Sequence, residues 1–353
     1  MRVFIFVTVL TLLSVGPVYC APPASEESEP DSLSVMTWNI WGRLNQDARY
    51  KIKDKSARQR TIEILRESKA DIVCMVETYG SARDIAKALD YHYYTPSEKA
   101  NLAIFSRYPL SNAGPLKGLS SFSFIAATAE LPNGHKVRIY NIWLTSQGVN
   151  ESRLRNSAST NEQIVTSDGL RLSMLKQFLQ HPDVKTNLAD ENLPVIVAGD
   201  FSSFSHLGYT EQTKKDGLNY GRILPITVSK AMEANGFIDT YREVNLKVAK
   251  ETLGYTWTTV GLGYHWSEQL AFHPVEKNPA PERRGLFCRI DYIYSAGSMI
   301  KPISSSVISH HASNSERCFP EFPSDHAAVL TIFTVDSIDK ANKDLKATGK
   351  SVP

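Results

Sequence analysis

The chain has 353 residues, of which 42% are hydrophobic and 22% charged, and its formal net charge is +2. That much apolar content suits one large domain or two small ones and excludes a disordered chain. The near-neutral balance excludes the broadly basic surface of a typical nucleic-acid binder, although a local basic groove remains compatible with it.

Met1-Arg2 followed by the apolar run Val3–Val15 reads as a secretory signal peptide, with cleavage expected after Cys20. The run is too short to span a bilayer, and no later run is long and apolar enough, so no transmembrane segment is expected. The reading over 1–20 therefore predicts a secreted, extracellular protein, monomeric by default. Residues 21–32 are rich in Pro, Ser and Glu and predict a disordered linker. One domain is expected over 33–335, followed by a charged, Lys-rich tail over 336–353.

Strand-like runs follow in order: Ser34–Trp41, Asp71–Thr78, Asn101–Tyr108, Phe124–Leu131, Lys136–Thr145, Pro194–Phe201, Leu286–Ser295 and His326–Val335. Asn133-Gly134 marks a hairpin turn, because both residues tolerate positive φ. Ser56–Lys69 and Ala82–Asp90 have helical patterns, and Leu170, Met174, Leu175 and Phe178 outline one buried helix face. Helices interrupt strands of both alternating and continuous apolar pattern. That combination predicts an α/β or α+β domain with more than one sheet, partly antiparallel. The segment 262–284 is aromatic, Pro-rich and irregular, as a functional or disordered loop would be.

Three cysteines follow the leader. Cys74 lies in an apolar strand and reads as a buried free thiol. Cys288 and Cys318 are expected to pair in an oxidising compartment, a link contributing roughly 3 to 4 kcal/mol in the chain-entropy model. Asn150-Glu151-Ser152 matches the glycosylation pattern.

Several strands end in acids or amides: Asn39 after Thr37-Trp38, Glu77 in Val76-Glu77-Thr78, and Asp200 in Gly199-Asp200-Phe201-Ser202. Asp291 sits in Arg289-Ile290-Asp291-Tyr292, and Asp325-His326 opens the last strand. Strand ends are where rigid scaffolds present chemistry. Four carboxyl groups, an amide and an imidazole meeting at one rim would suit a hard cation such as Mg²⁺, Mn²⁺ or Ca²⁺. Trp38, Trp41, Tyr255, Trp257, Tyr264 and Trp266 would either pack in the core or stack on a base or lipid. Arg283 and Arg284 are candidates for a phosphate contact.

This set of motifs, in this order, resembles the endonuclease/exonuclease/phosphatase superfamily of deoxyribonuclease I-like metal-dependent phosphoesterases. The resemblance runs from about Leu33 to Val335. It implies two mixed β-sheets packed face to face with helices outside, a four-layer sandwich with its site at one rim. It also implies metal-assisted hydrolysis of a phosphate ester. By this resemblance Glu77 is the principal metal ligand, with Asn39 and Asp325 helping to hold the ion or its waters. His326 contacts the scissile phosphate, Asp291 orients its ring, and Asp200 orients or deprotonates the attacking water.

Two positions depart from the pattern. Ser202 stands where the family has an asparagine that donates to the phosphate. Trp143, in Asn141-Ile142-Trp143-Leu144, stands where a second active-site histidine is usual, and an indole cannot shuttle a proton. Ser202 is expected to keep one hydrogen bond to substrate, and His206, in the loop beyond Asp200, to supply the missing phosphate contact. The expected function is a secreted phosphodiesterase acting on nucleic acid or on a sphingomyelin-like phospholipid. The alternative is a secreted binding protein whose catalysis Ser202 and Trp143 have weakened.

Overall fold

A computed structural model describes residues 32–42, 56–132, 134–147, 153–154, 156–249, 252–257, 288–309 and 322–335, with the backbone of 51–52, 55, 264–266 and 272–274. The leader, most of the linker, Asn133, the Asn150 sequon, Arg283, Arg284, Cys318 and the tail lie outside the described residues, as does most of 262–284.

In chain order the main elements are β1 (Ser32–Asn39), α1 (Ala57–Ser68), β2 (Ile72–Val76), α2 (Ala82–Leu89), β3 (His92–Tyr94), β4 (Ala103–Ser106) and β5 (Leu110–Pro115). Next come β6 (Phe124–Glu130), β7 (Lys136–Trp143), α3 (Asn161–Thr166), α4 (Gly169–Leu179), α5 (Pro182–Leu188) and β8 (Val195–Asp200). The last are α6 (Glu211–Lys215), α7 (Thr227–Ala234), β9 (Ile238–Asp239), α8 (Thr240–Val244), β10 (Asp291–Ala296), β11 (Ile300–Ile308) and β12 (Ala328–Val335).

The strands form two six-stranded sheets, ordered β11-β12-β1-β2-β4-β3 and β9-β10-β8-β7-β6-β5. Each is antiparallel except for one parallel pair, β1 with β2 in the first and β7 with β8 in the second. The expected two-sheet sandwich is present. Alternation along each strand builds its layers. Val35, Cys74, Ile104, Ile139, Ile196 and Ile293 fill the space between the sheets. Met36, Trp38, Val73 and Met75 point the other way, onto Ile64, Leu65, Ile85 and Ala86 of α1 and α2. Tyr140, Ile142, Val195 and Val197 do the same on the second sheet, onto Leu175, Phe178, Val184 and Val228. Strands covered on both faces need apolar residues at successive positions, which is why these runs read as continuous. Cys74 is buried, and burial drives its thiol far above the usual range.

Local signals explain several boundaries. Ser56 caps α1 through a capping box with Gln59, and Lys69 closes it at φ 53°. The expected hairpin joins β6 to β7, with Gly134 at φ 83°. Other expectations needed correction. Ser32, placed in the linker, already pairs with Thr334. The strand expected from Leu286 begins at Asp291, because Cys288 bridges Trp257 instead. In α4 the buried face is Arg171, Leu175, Phe178 and Leu179, and Leu170 is half exposed. Arg171 is buried because its guanidinium meets Asp168 and the carbonyls of Thr145 and Gln147. Strands β3, β5, β9 and β11 were not expected. β3, β5, β9 and β11 lie at sheet edges, where short, Gly-containing or Pro-containing segments are tolerated and the apolar signal is thin.

Candidate active site

β1 and β2 run parallel, as do β7 and β8, so Asn39, Glu77, Trp143 and Asp200 leave the two sheets at the same rim. Asp291 begins β10 directly opposite Asp200 in the antiparallel register. The loop before β12 brings Asp325 and His326 to the same place. Its anchor is Ser324, whose hydroxyl donates to the Asn39 carbonyl at 2.6 Å and accepts from the His326 amide at 3.0 Å. Trp38 completes the anchor, its indole N–H donating to the His326 carbonyl at 2.9 Å.

Side chains then join the sheets. The Asn39 amide donates to Glu77 Oε1 at 3.1 Å and to Asp200 Oδ2 at 3.2 Å. His326 Nδ1 lies 2.9 Å from Asp291 Oδ2, with both residues buried. Asp200, Asp291 and His326 each present a ligand atom within 4.8 Å of the others. Asp325 Oδ2 accepts from the Trp257 indole at 3.1 Å, and its Oδ1 lies 4.0 Å from His326 Nε2. Farther back, the Asn141 amide spans both sheets to the carbonyls of Met75 and Ala103 at 2.8 and 2.9 Å.

The backbone is strained around this cluster. Trp41, Glu77, Tyr79 and Ser202 all have positive φ, between 34° and 62°. Gly42 must be glycine, since a Cβ there would lie 2.3 Å from both the Glu77 carbonyl and the Tyr79 ring. Its amide donates to Glu77 Oε2 at 3.3 Å, while the Glu77 amide donates to Asn101 Oδ1 at 3.0 Å.

Electrostatics follow from this crowding of acids. Burial raises the Asp200 carboxyl, and the neighbouring charge of Asp291 adds to it, bringing it to about 7. Burial raises Asp325 as well; His326 pulls against that and Glu77 adds to it, and the carboxyl reaches about 6. For His326 burial acts downward, but the charges of Asp291 and Asp325 outweigh it and lift the imidazole to about 10. The neighbouring carboxylates thus favour the protonated form of the ring. Asp291 Oδ1 and Asp325 Oδ1 are buried without a hydrogen-bond partner. Several acids around one imidazolium, with two orphaned carboxyl oxygens, leave a negative excess that fits a hard divalent cation.

The model of the Endonuclease/Exonuclease/phosphatase family matches residues 36–326. The chain belongs to this family. It is 24% identical over 319 residues to an uncharacterized protein of Caenorhabditis elegans, covering 87% of this chain and 93% of that one. Among solved structures, an AP endonuclease from Archaeoglobus fulgidus has a TM-score of 0.51 at 16% identity, over 86% of this chain and 100% of that one. A humanized D. rerio TDP2 has a TM-score of 0.50 at 16% identity, over 86% and 99% of the two chains. These likenesses concern the fold. Members of the endonuclease/exonuclease/phosphatase family are metal-dependent phosphoesterases and nucleases.

Of the residues singled out in the sequence, Asn39, Glu77, Asp200, Asp291, Asp325 and His326 meet at one rim of the sandwich. His206 does not join them. Its Nδ1 lies 2.8 Å from Ser229 Oγ and its Nε2 3.0 Å from Glu233, so both ring nitrogens are occupied against α7. The phosphate contact expected of it is not made by this arrangement. Ser202 is at the rim but turned inward. Its amide and hydroxyl both serve Asp200 Oδ1, at 2.7 and 3.0 Å, and not an open face. Trp143 pairs with Asp200 across the ladder and packs edge-on against Phe122 at 5.3 Å. Ser324, Asn101 and Asn141 carry much of the positioning, and nothing in the sequence singled them out beyond proximity to a motif. Trp257 was noted only as one aromatic among several; its indole partner became visible only in the fold.

Proposed function

We propose that this chain is an exported, divalent-metal-dependent phosphodiesterase that cleaves a phosphate ester by in-line attack of water. The observation that carries the reading is the buried His326–Asp291 pair beside Asp200, with Glu77, Asn39 and Asp325 on the adjoining strand ends. Glu77, Asn39 and Asp325 would hold the ion, Mg²⁺ or Mn²⁺ by the hardness of their oxygens. When bound, the ion supplies Lewis-acid neutralisation of the phosphate's charge.

The protein's own groups do the rest. Asp291 holds the His326 ring by Nδ1 and leaves Nε2–H to donate to a non-bridging phosphate oxygen, where negative charge grows in the transition state. Asp200 accepts a proton from the attacking water. Asn39 and Ser202 fix the orientation of the Asp200 carboxyl. Export rests on the leader-like N-terminus, and the diester substrate is either nucleic acid or phospholipid.

The test is hydrolysis of bis-(p-nitrophenyl) phosphate with Mg²⁺ or Mn²⁺, with and without chelator. We expect metal-dependent turnover that His326→Ala lowers by about two to three orders of magnitude, since removing one key catalytic donor typically costs ~10²–10³. Glu77→Ala should be comparably damaging at ordinary metal concentrations. Turnover that survives chelation, or is indifferent to His326→Ala, overturns the reading. Absence of turnover in every metal favours the weakened binding protein.

A further inference from the structure

Three aromatic rings border the catalytic cluster and take no part in the chemistry above. Trp143 ends β7 beside Asp200, to whose carbonyl the next residue's amide donates at 2.9 Å. Phe122 lies edge-on to Trp143 with ring centroids 5.3 Å apart. Tyr79, two residues beyond Glu77, lies near-parallel to Phe122 at 6.4 Å and 28°.

The rings are tied to the catalytic backbone. Asn101 donates to the Phe122 carbonyl at 2.9 Å, while its own side-chain oxygen accepts from the Glu77 amide at 3.0 Å. The Trp143 amide donates to the Ser123 carbonyl at 2.9 Å. Phe122 is 44% exposed, so its ring is open to solvent beside the cluster. Beyond Tyr79 lies a cavity of about 280 Å³, lined by Tyr79, Tyr93, Arg83 and Lys99 among others.

The geometry points to a base-stacking subsite made by Tyr79, Phe122 and Trp143, which receives the nucleobase next to the scissile phosphate of a single-stranded nucleic acid. It rests on the phosphodiesterase reading of the adjoining cluster and names the substrate class within it. Flat aromatic faces beside a phosphate-binding site suit stacked bases, and every base offers a π-face whatever its sequence. A lipid tail would instead need exposed aliphatic surface. Among the described residues, the most exposed aliphatic side chains, Leu246 and Ile303, lie on other segments, past α8 and on edge strand β11. A net charge of only +2 also leaves little non-specific attraction for phosphate, so ring contacts must supply much of the affinity.

The experiment compares two ligands of equal charge, labelled oligo(dT) and a base-free deoxyribose-phosphate oligomer of the same length. Binding to the His326→Ala protein with Ca²⁺ is read by fluorescence anisotropy. We expect the base-containing strand to bind roughly tenfold tighter, the low end of base–aromatic stacking. Phe122→Ala and Trp143→Phe should collapse that ratio toward one. Phe122 is the primary probe because truncating an exposed ring leaves the core intact, and circular dichroism checks each fold. Equal binding of the two strands overturns the subsite, as does a ratio that survives both substitutions. So does loss of binding to sphingomyelin vesicles, and not to oligo(dT), in Phe122→Ala. Failure of the phosphodiesterase reading appears separately, as absent turnover of bis-(p-nitrophenyl) phosphate by the unsubstituted protein.

Discussion

Trp257 shows how a single side chain sets the character of its neighbours. Its indole N–H is the partner of Asp325 Oδ2, and its ring lies 6.5 Å from that of His326. Asp325 Oδ1 has no hydrogen-bond partner and lies 4.0 Å from His326 Nε2. Groups that orient a metal-binding carboxylate usually matter for metal affinity about tenfold to a hundredfold. Trp257→Phe keeps the ring and removes the donor. It should raise the Mn²⁺ concentration needed for half-saturation about tenfold, measured by electron paramagnetic resonance of free Mn²⁺, with kcat at saturating metal much less affected. Unchanged Mn²⁺ binding would show that the indole contact does not position Asp325.

His206 allows a prediction independent of catalysis. Burial holds its imidazole below the ordinary 6.5, against the opposing pull of Glu233. A depressed histidine binds fewer protons folded than unfolded. Stability should therefore decline as pH drops below 6.5 and level off once pH passes the folded value. Replacing it by glutamine should flatten the fall in melting temperature between neutral and mildly acidic pH. A variant with the same slope as the parent would place the acid sensitivity elsewhere.

The strands that carry the site depend on close backbone contact at their ends. Gly199 immediately precedes Asp200 with φ 148°, and a Cβ there would lie 1.9 Å from the Ile142 carbonyl of the neighbouring strand. No rotamer relieves a clash with backbone. Gly199→Ala should cost about 3 kcal/mol or more, read from the urea midpoint, because the β7–β8 pairing must open to admit the methyl group. A loss under ~1 kcal/mol would mean the rim can shift freely, in conflict with the dense packing of both strands. Asn141 acts on the same pair of sheets from inside. Its amide donates to one carbonyl on β2 and to one on β4. Asn141→Ala removes both hydrogen bonds between the sheets, at a cost of about 1 to 3 kcal/mol.

Taken as one object, the protein gathers like charges across the seam between two sheets. Burying Asp200 and Asp291 together, with Asp325 partly buried beside them, is unfavourable, and a cation at the rim would offset it. Metal should therefore stabilise the fold. Mg²⁺ or Mn²⁺ at a hundredfold excess over its dissociation constant adds about 2.7 kcal/mol, a rise of several degrees in melting temperature that chelator reverses. Glu77→Ala should lose most of that rise. An identical rise in Glu77→Ala would place the binding elsewhere.

Much of this arrangement is written into local sequence. Continuous apolar runs such as Ile72–Val76 and Val195–Asp200 demand strands covered on both faces, and the Ser56 and Gln59 pairing fixes where α1 begins. The acids at strand ends and the Asp325-His326 pair could be picked out because a carboxyl or imidazole beside a buried strand needs a reason to be there. Edge strands such as β5 and β11 could not, since one open side relaxes the demand for apolar residues. Nor could the partners: that Trp257 meets Asp325, that Ser324 ties the last loop to Asn39, or that His206 turns away to Ser229. Local periodicity follows from contacts between near neighbours in the chain, whereas these pairings join residues dozens to hundreds of positions apart and exist only once the sheets have stacked.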